Sequence, residues 1–216
     1  MLKTRCINDL KYLLDDKKAF IFDFDGTIAD TEKYHWKAYD VCLSKFKISL
    51  SNENIVSFIG NKEKDIYLMI KNEFNIEFDD NDFRKRRKDI FYKLIETHNL
   101  EPFKFFIELC SNYSNKEWYI LSSQEKQTLM YLLKKWNLET YFKKIIPLAN
   151  SRNSKFSIIE NTFTFLNVNN NEIALFEDSN DVLAFAKLKG IAAIGVQHEF
   201  NINILKDCDA IIGDKI

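Results

Sequence analysis

The chain has 216 residues, 46% hydrophobic and 29% charged, enough to bury a core as one large or two small domains, which excludes disordered and fibrous architectures. Lys plus Arg is 31 against 32 for Asp plus Glu, so the net charge of −1 gives no global pull toward nucleic acid or a membrane surface. The 4 cysteines include no C-x-x-C pair and there are only 3 histidines, which excludes a disulfide framework and a zinc finger.

The first eighteen residues scatter charges where a secretory signal needs an apolar stretch, and no apolar run approaches the roughly 18 residues of a membrane span. A soluble, reduced, cytoplasmic protein is expected, monomeric or weakly self-associating, without nucleic-acid or membrane partners. Ile7, Leu10, Leu13 and Leu14 predict a helix over residues 3–15, ahead of a first strand at Ala19-Phe20-Ile21-Phe22. From Thr31 to about His98 the pattern is helical throughout, with Trp36, Tyr39, Val41 and Leu43 in one segment and Ile66, Met69, Ile70 and Phe74 in another. After Pro102, short apolar runs at 118–121, 144–147, 173–176, 191–196 and 210–212 alternate with helical stripes. One stripe is Leu129, Leu132, Leu133 and Trp136; another is Ile158, Ile159, Phe163 and Leu166. Alternation of this kind predicts an α/β fold, a Rossmann-like parallel sheet with helices on both faces. The expected domains are a core of residues 1–29 and 100–216 and an inserted all-helical domain of residues 30–99.

Chemistry concentrates at the predicted strand ends. The first strand runs into Asp23-Phe24-Asp25-Gly26-Thr27, and in an extended chain positions i and i+2 share a face, so both carboxylates would point into one crevice beyond the sheet. Gly26 permits a sharp backbone departure. Two aspartates at a strand end also serve as simple turn formers. Three later features favour a site: Ser122 closes the second run, Lys155 follows the third, and Glu177-Asp178 closes the fourth. In a parallel sheet these ends share one edge. The carboxylates of Asp23, Asp25, Glu177 and Asp178 with a single lysine would repel unless a hard cation joined them, which points to Mg²⁺ completed by water and a phosphate oxygen. Taken singly, Ser122 reads as a helix cap and Lys155 as a solvated lysine.

Asp23-x-Asp25-Gly26-Thr27, Ser122, Lys155 and Glu177-Asp178-Ser179, in that order, resemble the four motifs of the haloacid dehalogenase-like hydrolases. The insert after the first motif resembles the helical cap of the subfamily that includes β-phosphoglucomutase and phosphoglycolate phosphatase. The chain departs from that pattern at Lys155-Phe156-Ser157-Ile158, where relatives carry Lys-Pro-x-Pro, and at Val182, where a glycine is common.

The resemblance implies Asp23 as nucleophile and Asp25 as general acid and base. It implies Mg²⁺ on the carboxylates of Asp23 and Asp178 and the carbonyl of Asp25, with Glu177 in support. Ser122 and Lys155 would orient and neutralise the phosphoryl group, and Gly26, Thr27 and Ser123 would line its site. In the cap, His35 matches a histidine near the hinge of many relatives and is otherwise a half-buried helix residue. Arg87, in the cationic run Arg84-Lys85-Arg86-Arg87-Lys88, matches a segment that projects a cation toward substrate; the alternative is a solvated arginine, the run pairing with Asp79, Asp80 and Asp82. Lys62 and Lys64 read as solvated. The expected activity is Mg²⁺-dependent hydrolysis of a small phosphomonoester (sugar, polyol, amino-alcohol or glycolate phosphate). A phosphomutase and a non-catalytic binding module on the same fold are the alternatives. Asp25 argues against a dehalogenase, which needs no proton donor there, and Thr27 favours the phosphatase.

Overall fold

The computed structural model describes residues 1–59, 61, 63–148, 156–157, 159–160, 164, 166 and 168–214. The chain divides into two compact units, Met1–Asp30 with Glu101–Ile216, and Thr31–Leu100.

The first unit is built on a seven-stranded sheet: β1 (Leu2–Thr4), β2 (Ala19–Phe22), β3 (Glu117–Ser122), β4 (Phe142–Pro147), β5 (Ile173–Glu177), β6 (Ala192–Val196) and β7 (Ala210–Ile212). Its order is β1-β7-β6-β5-β2-β3-β4, and every neighbouring pair is parallel. The chain steps outward from β2 through β3 to β4 and then returns to lay β5 on the other side of β2. That makes the β2/β5 junction the switch point at whose carboxyl end open α/β sheets bind ligands.

All four residues of β2 are fully buried, and they alternate between two different cores. Phe20 and Phe22 stand on the aromatic side, where Phe22 stacks on Phe176 at 4.8 Å and meets Trp118 at 4.9 Å and Phe106 at 5.3 Å. Phe106 comes from α6 (Lys104–Asn112), which covers that face. Ala19 and Ile21 stand on the aliphatic side with Leu121, Leu175 and Ile211, covered by Val182, Leu183 and Ala186 of α8 (Asn180–Leu188). A sheet buried on both faces explains why its strands read as continuous apolar runs.

The N-terminus differs from the expected helix over 3–15. Residues 2–4 form β1, an edge strand on β7, and the helical part shrinks to a 3₁₀ turn at Ile7–Leu10 and α1 (Lys11–Leu14). Ile7, Leu10 and Leu14 do form the buried stripe. The Leu129, Leu132 and Leu133 stripe lies buried on α7 (Lys126–Lys135). Of the following stripe, Ile159 and Leu166 are buried, while Ile158 and Phe163 lie outside the described residues.

The second unit is helical among its described residues: α2 (Glu32–Leu43), α3 (Asn52–Phe58), α4 (Glu63–Phe74) and α5 (Asp80–Thr97). Its interior is aromatic, with Tyr39, Tyr67 and Phe83 buried and in mutual ring contact. Ser51 and Asn54 form a capping box at the start of α3, and the Asp79 carboxylate accepts from the Asn81 and Asp82 amides at the start of α5. Asn75, Asn99 and Asn137 follow helix ends in the left-handed region, with φ of 49°, 45° and 56°. In a chain with 5 glycines, asparagine takes the helix-terminating position that glycine usually fills. No described helix is long and apolar enough to cross a membrane.

Candidate active site

β2 ends at Phe22, but its ladder runs one step further, because the Asp23 amide donates to the Phe176 carbonyl at 3.0 Å. The chain then turns sharply. Thr27 and Ile28 donate to the Phe24 carbonyl at 3.2 and 2.9 Å, Gly26 donates to Ala29, and Gly26 sits at φ +70°. A side chain there is doubly opposed, since a Cβ would lie 2.6 Å from Asp178 Oδ2 and 2.9 Å from His198 Nε2. The turn also corrects the extended-strand argument for a shared face. Asp23 and Asp25 are separated by a bend, and their carboxylates take different surroundings.

Asp23 joins the end of β5. One oxygen from each of Asp23, Glu177 and Asp178 lies within 4.8 Å of the others. Asp23 and Glu177 are buried, and the Asp178 side chain is 18% exposed. Glu177 Oε1 accepts from the Ser179 amide at 3.2 Å. Three buried or half-buried carboxylates this close repel one another, and their oxygens suit a hard divalent cation. The residues therefore fit a divalent metal.

The Asp25 carboxylate stands outside that group. Both its oxygens accept from the Gln124 side-chain amide, each at 3.1 Å. Gln124 lies two residues past the end of β3, and its own backbone amide donates to the Ser122 hydroxyl at 3.1 Å. Ser122 is buried and Ser123 exposed. The Thr27 hydroxyl is fully buried and has no hydrogen-bond partner among the described residues. Lys155 and Lys62 lie outside the described residues.

Beyond β6, His198 and Asn201 complete the edge. His198 Nε2 lies 3.0 Å from Asp178 Oδ2, and Asn201 donates to the carbonyls of Asp178 at 3.1 Å and Val196 at 2.8 Å. Gln124, His198 and Asn201 escaped the sequence reading. Each belongs to no local motif, and the only signal was its position just past an apolar strand.

The helical unit holds His35 and Arg87. The His35 ring stacks on Phe91 at 4.0 Å, and its Nδ1 lies 3.4 Å from an Arg87 nitrogen. Arg87 is not the solvated arginine of the alternative reading. It is buried, its guanidinium lies 4.9 Å over the Tyr39 ring, and it makes a close ion pair with Glu63. Glu63 also takes Arg84 at 2.7 Å and the Tyr67 hydroxyl at 2.8 Å. Among the described residues Asp79 instead caps α5 and Asp80 pairs with Lys71 at 2.8 Å. Burial pushes the Tyr67 hydroxyl up to about 12, against the pull of Arg87. Burial also raises the Glu63 carboxyl, but Arg87, Tyr67 and Arg84 together hold it below its ordinary value.

Solved structures share this architecture. The chain is 21% identical to a β-phosphoglucomutase from Clostridium difficile, with 91% of this chain and 90% of that one covered and a TM-score of 0.68. A predicted phosphoglycolate phosphatase from Haemophilus somnus gives 16% identity, coverage of 92% and 94%, and a TM-score of 0.72. CbbY from Rhodobacter sphaeroides, solved in complex with phosphate, gives 15% identity, coverage of 92% and 98%, and a TM-score of 0.75. At these identities the likeness is one of fold. Residues 20–196, from β2 through β6, match the family model described as haloacid dehalogenase-like hydrolase, and the chain belongs to that family.

Proposed function

We propose that the protein is a Mg²⁺-dependent phosphatase of a small organic phosphomonoester, acting through a phosphoryl group carried on Asp23. The observation that carries this reading is the sorting of two aspartates two residues apart. Asp23 lies in the carboxylate cluster, whereas Asp25 stands outside it on a side-chain amide donor. A nucleophile that must stay ionised and an acid–base group that must exchange a proton need different environments. The phosphate complex of the Rhodobacter sphaeroides neighbour lends further support.

The carboxylates of Asp23 and Asp178 and the main-chain carbonyl of Asp25 would hold the ion, with Glu177 beside them. When bound, Mg²⁺ supplies positive charge that offsets the carboxylates and the phosphoryl oxygens. An Asp23 carboxylate oxygen attacks phosphorus, the bond from phosphorus to the ester oxygen breaks, and the Asp25 carboxyl gives its proton to the departing alkoxide. Water then attacks phosphorus, Asp25 takes the water proton, and inorganic phosphate leaves with Asp23 restored. Gln124 orients the Asp25 carboxylate through both steps. Ser122 and Lys155 orient and neutralise the phosphoryl group, and Gly26, Thr27 and Ser123 line its site, the buried Thr27 hydroxyl offering a donor. His35 is the substrate contact we retain in the helical unit, while Arg87 serves that unit's interior.

The test is phosphate release by the purified protein with Mg²⁺ over a panel of small phosphomonoesters, alongside folded Asp23→Asn. Release by the wild type and none by the variant is expected. Undiminished release by Asp23→Asn would overturn the reading, and phosphoryl transfer to a sugar without phosphate release would make the protein a mutase.

A further inference from the structure

Asp178 is held at two points by one turn beyond β6. Its side-chain Oδ2 meets His198 Nε2 at 3.0 Å, and its main-chain carbonyl accepts from Asn201 Nδ2 at 3.1 Å. Asn201 ties the turn together, since its Oδ1 accepts from the His198 amide at 2.8 Å while its Nδ2 also reaches the Val196 carbonyl. Both residues are buried, with exposures of 5% and 4%.

The hydrogen-bond pattern fixes the direction of the His198 contact. Nδ1 accepts from the Phe200 amide at 3.3 Å, which leaves the ring proton on Nε2 and makes Nε2 the donor to Asp178. Gly26 closes the other side, because a Cβ there would strike Asp178 Oδ2 and His198 Nε2 together. The carboxylate is thus confined between a ring donor and a bare backbone. Nothing in the four sequence motifs calls for a histidine at this place.

We propose that the His198–Asn201 turn is a clamp that occupies Asp178 Oδ2 and sets that carboxylate so that its other oxygen serves the cation. His198 is then a positioning residue that raises metal affinity without touching the metal. A carboxylate with one oxygen already held loses less rotational freedom when it ligates, and a donor on Oδ2 keeps Oδ1 aimed. The inference rests on the metal reading of the Asp23, Glu177 and Asp178 cluster.

The experiment is a Mn²⁺ titration of the purified protein, with free ion read by electron paramagnetic resonance and folding checked by circular dichroism. It compares wild type, Asp178→Asn, and His198→Ala, →Asn and →Gln. A glutamine amide nitrogen stands close to the place of Nε2, whereas an asparagine amide falls short. His198→Ala and His198→Asn should therefore bind Mn²⁺ about 10-fold more weakly, and His198→Gln within about threefold of wild type. Unchanged or tighter binding by His198→Ala would overturn the clamp, as would a glutamine variant as weak as alanine. Should alanine fail to fold, the contrast between glutamine and asparagine decides. Absence of saturable binding by wild type, or full binding by Asp178→Asn, would overturn the metal reading and the clamp with it.

Discussion

The buried ion pair of the helical unit makes an asymmetric prediction. Arg87 has a side chain only 11% exposed, and its close partner Glu63 is 27% exposed. Glu63→Gln removes the carboxylate that faces both Arg87 and Arg84 and leaves the Arg87 charge inside the aromatic interior beside Tyr39. Breaking a buried pair from one side costs about 3–5 kcal/mol, and the partial exposure of Glu63 lowers the expectation to about 2–4 kcal/mol. Arg87→Met is milder, because Glu63 keeps Arg84 at 2.7 Å and the Tyr67 hydroxyl at 2.8 Å. Loss of the contact over Tyr39 and of half the pair should cost about 1–2 kcal/mol. The double variant should recover to near the Arg87→Met value, since no buried charge is then left unpaired. Equilibrium urea unfolding followed by far-ultraviolet circular dichroism measures all three. Trp36, buried against Tyr39 at 5.3 Å, reports the same unit by fluorescence. Equal losses for the two single variants, or negligible losses for both, would refute the argument.

The same pair gives a pH signature. The Glu63 carboxyl is held below its ordinary value of 4.5, so its contribution is fully present above about pH 4.5 and disappears as the pH falls through the lower folded value. The difference in melting temperature between wild type and Glu63→Gln should therefore shrink below pH 4.5, and a constant difference down to full protonation would contradict this. Gly26→Ala should lose about 1–2 kcal/mol from the left-handed backbone alone and should also weaken Mn²⁺ binding by displacing Asp178. Wild-type melting and Mn²⁺ binding by that variant would contradict the geometry of the turn. Asp25→Asn should suppress hydrolysis of alkyl phosphates far more than that of p-nitrophenyl phosphate, whose leaving group departs without a proton. Equal losses on both would count against proton transfer by Asp25.

Much of the sheet was legible because burial on both faces writes itself as apolar runs. Phe20 and Phe22 face one core and Ile21 the other, and the sequence between them carries no polar residue. β1 was illegible for the opposite reason. Leu2 and Lys3 are exposed on a three-residue edge strand, so only Thr4 reports burial, while the stripe from Ile7 extends naturally backward into it. The two aspartates were legible as a motif, but their different surroundings were not, since the bend at Phe24 between them is encoded by no periodicity. The solvated alternative for Arg87 fails because its partner lies 24 residues away on another helix, and a charge run by itself reads as a solvated face. His198 and Asn201 reach Asp178 across 20 and 23 residues, a relation that exists only once β5 and β6 pair. Three asparagines terminate helices at positive φ, a role that no pattern in the sequence marks.

Chemical trapping tests most directly whether Asp23 carries the phosphoryl group. The protein, mixed with Mg²⁺ and the best substrate from the panel, is quenched within a turnover, reduced with borohydride and digested for mass spectrometry. A phosphorylated aspartate is an acyl phosphate and is reduced to homoserine, so homoserine is expected at position 23, absent without substrate. Steady phosphate release with position 23 unmodified, or with the reduced residue at Asp25, Glu177 or Asp178, would contradict it.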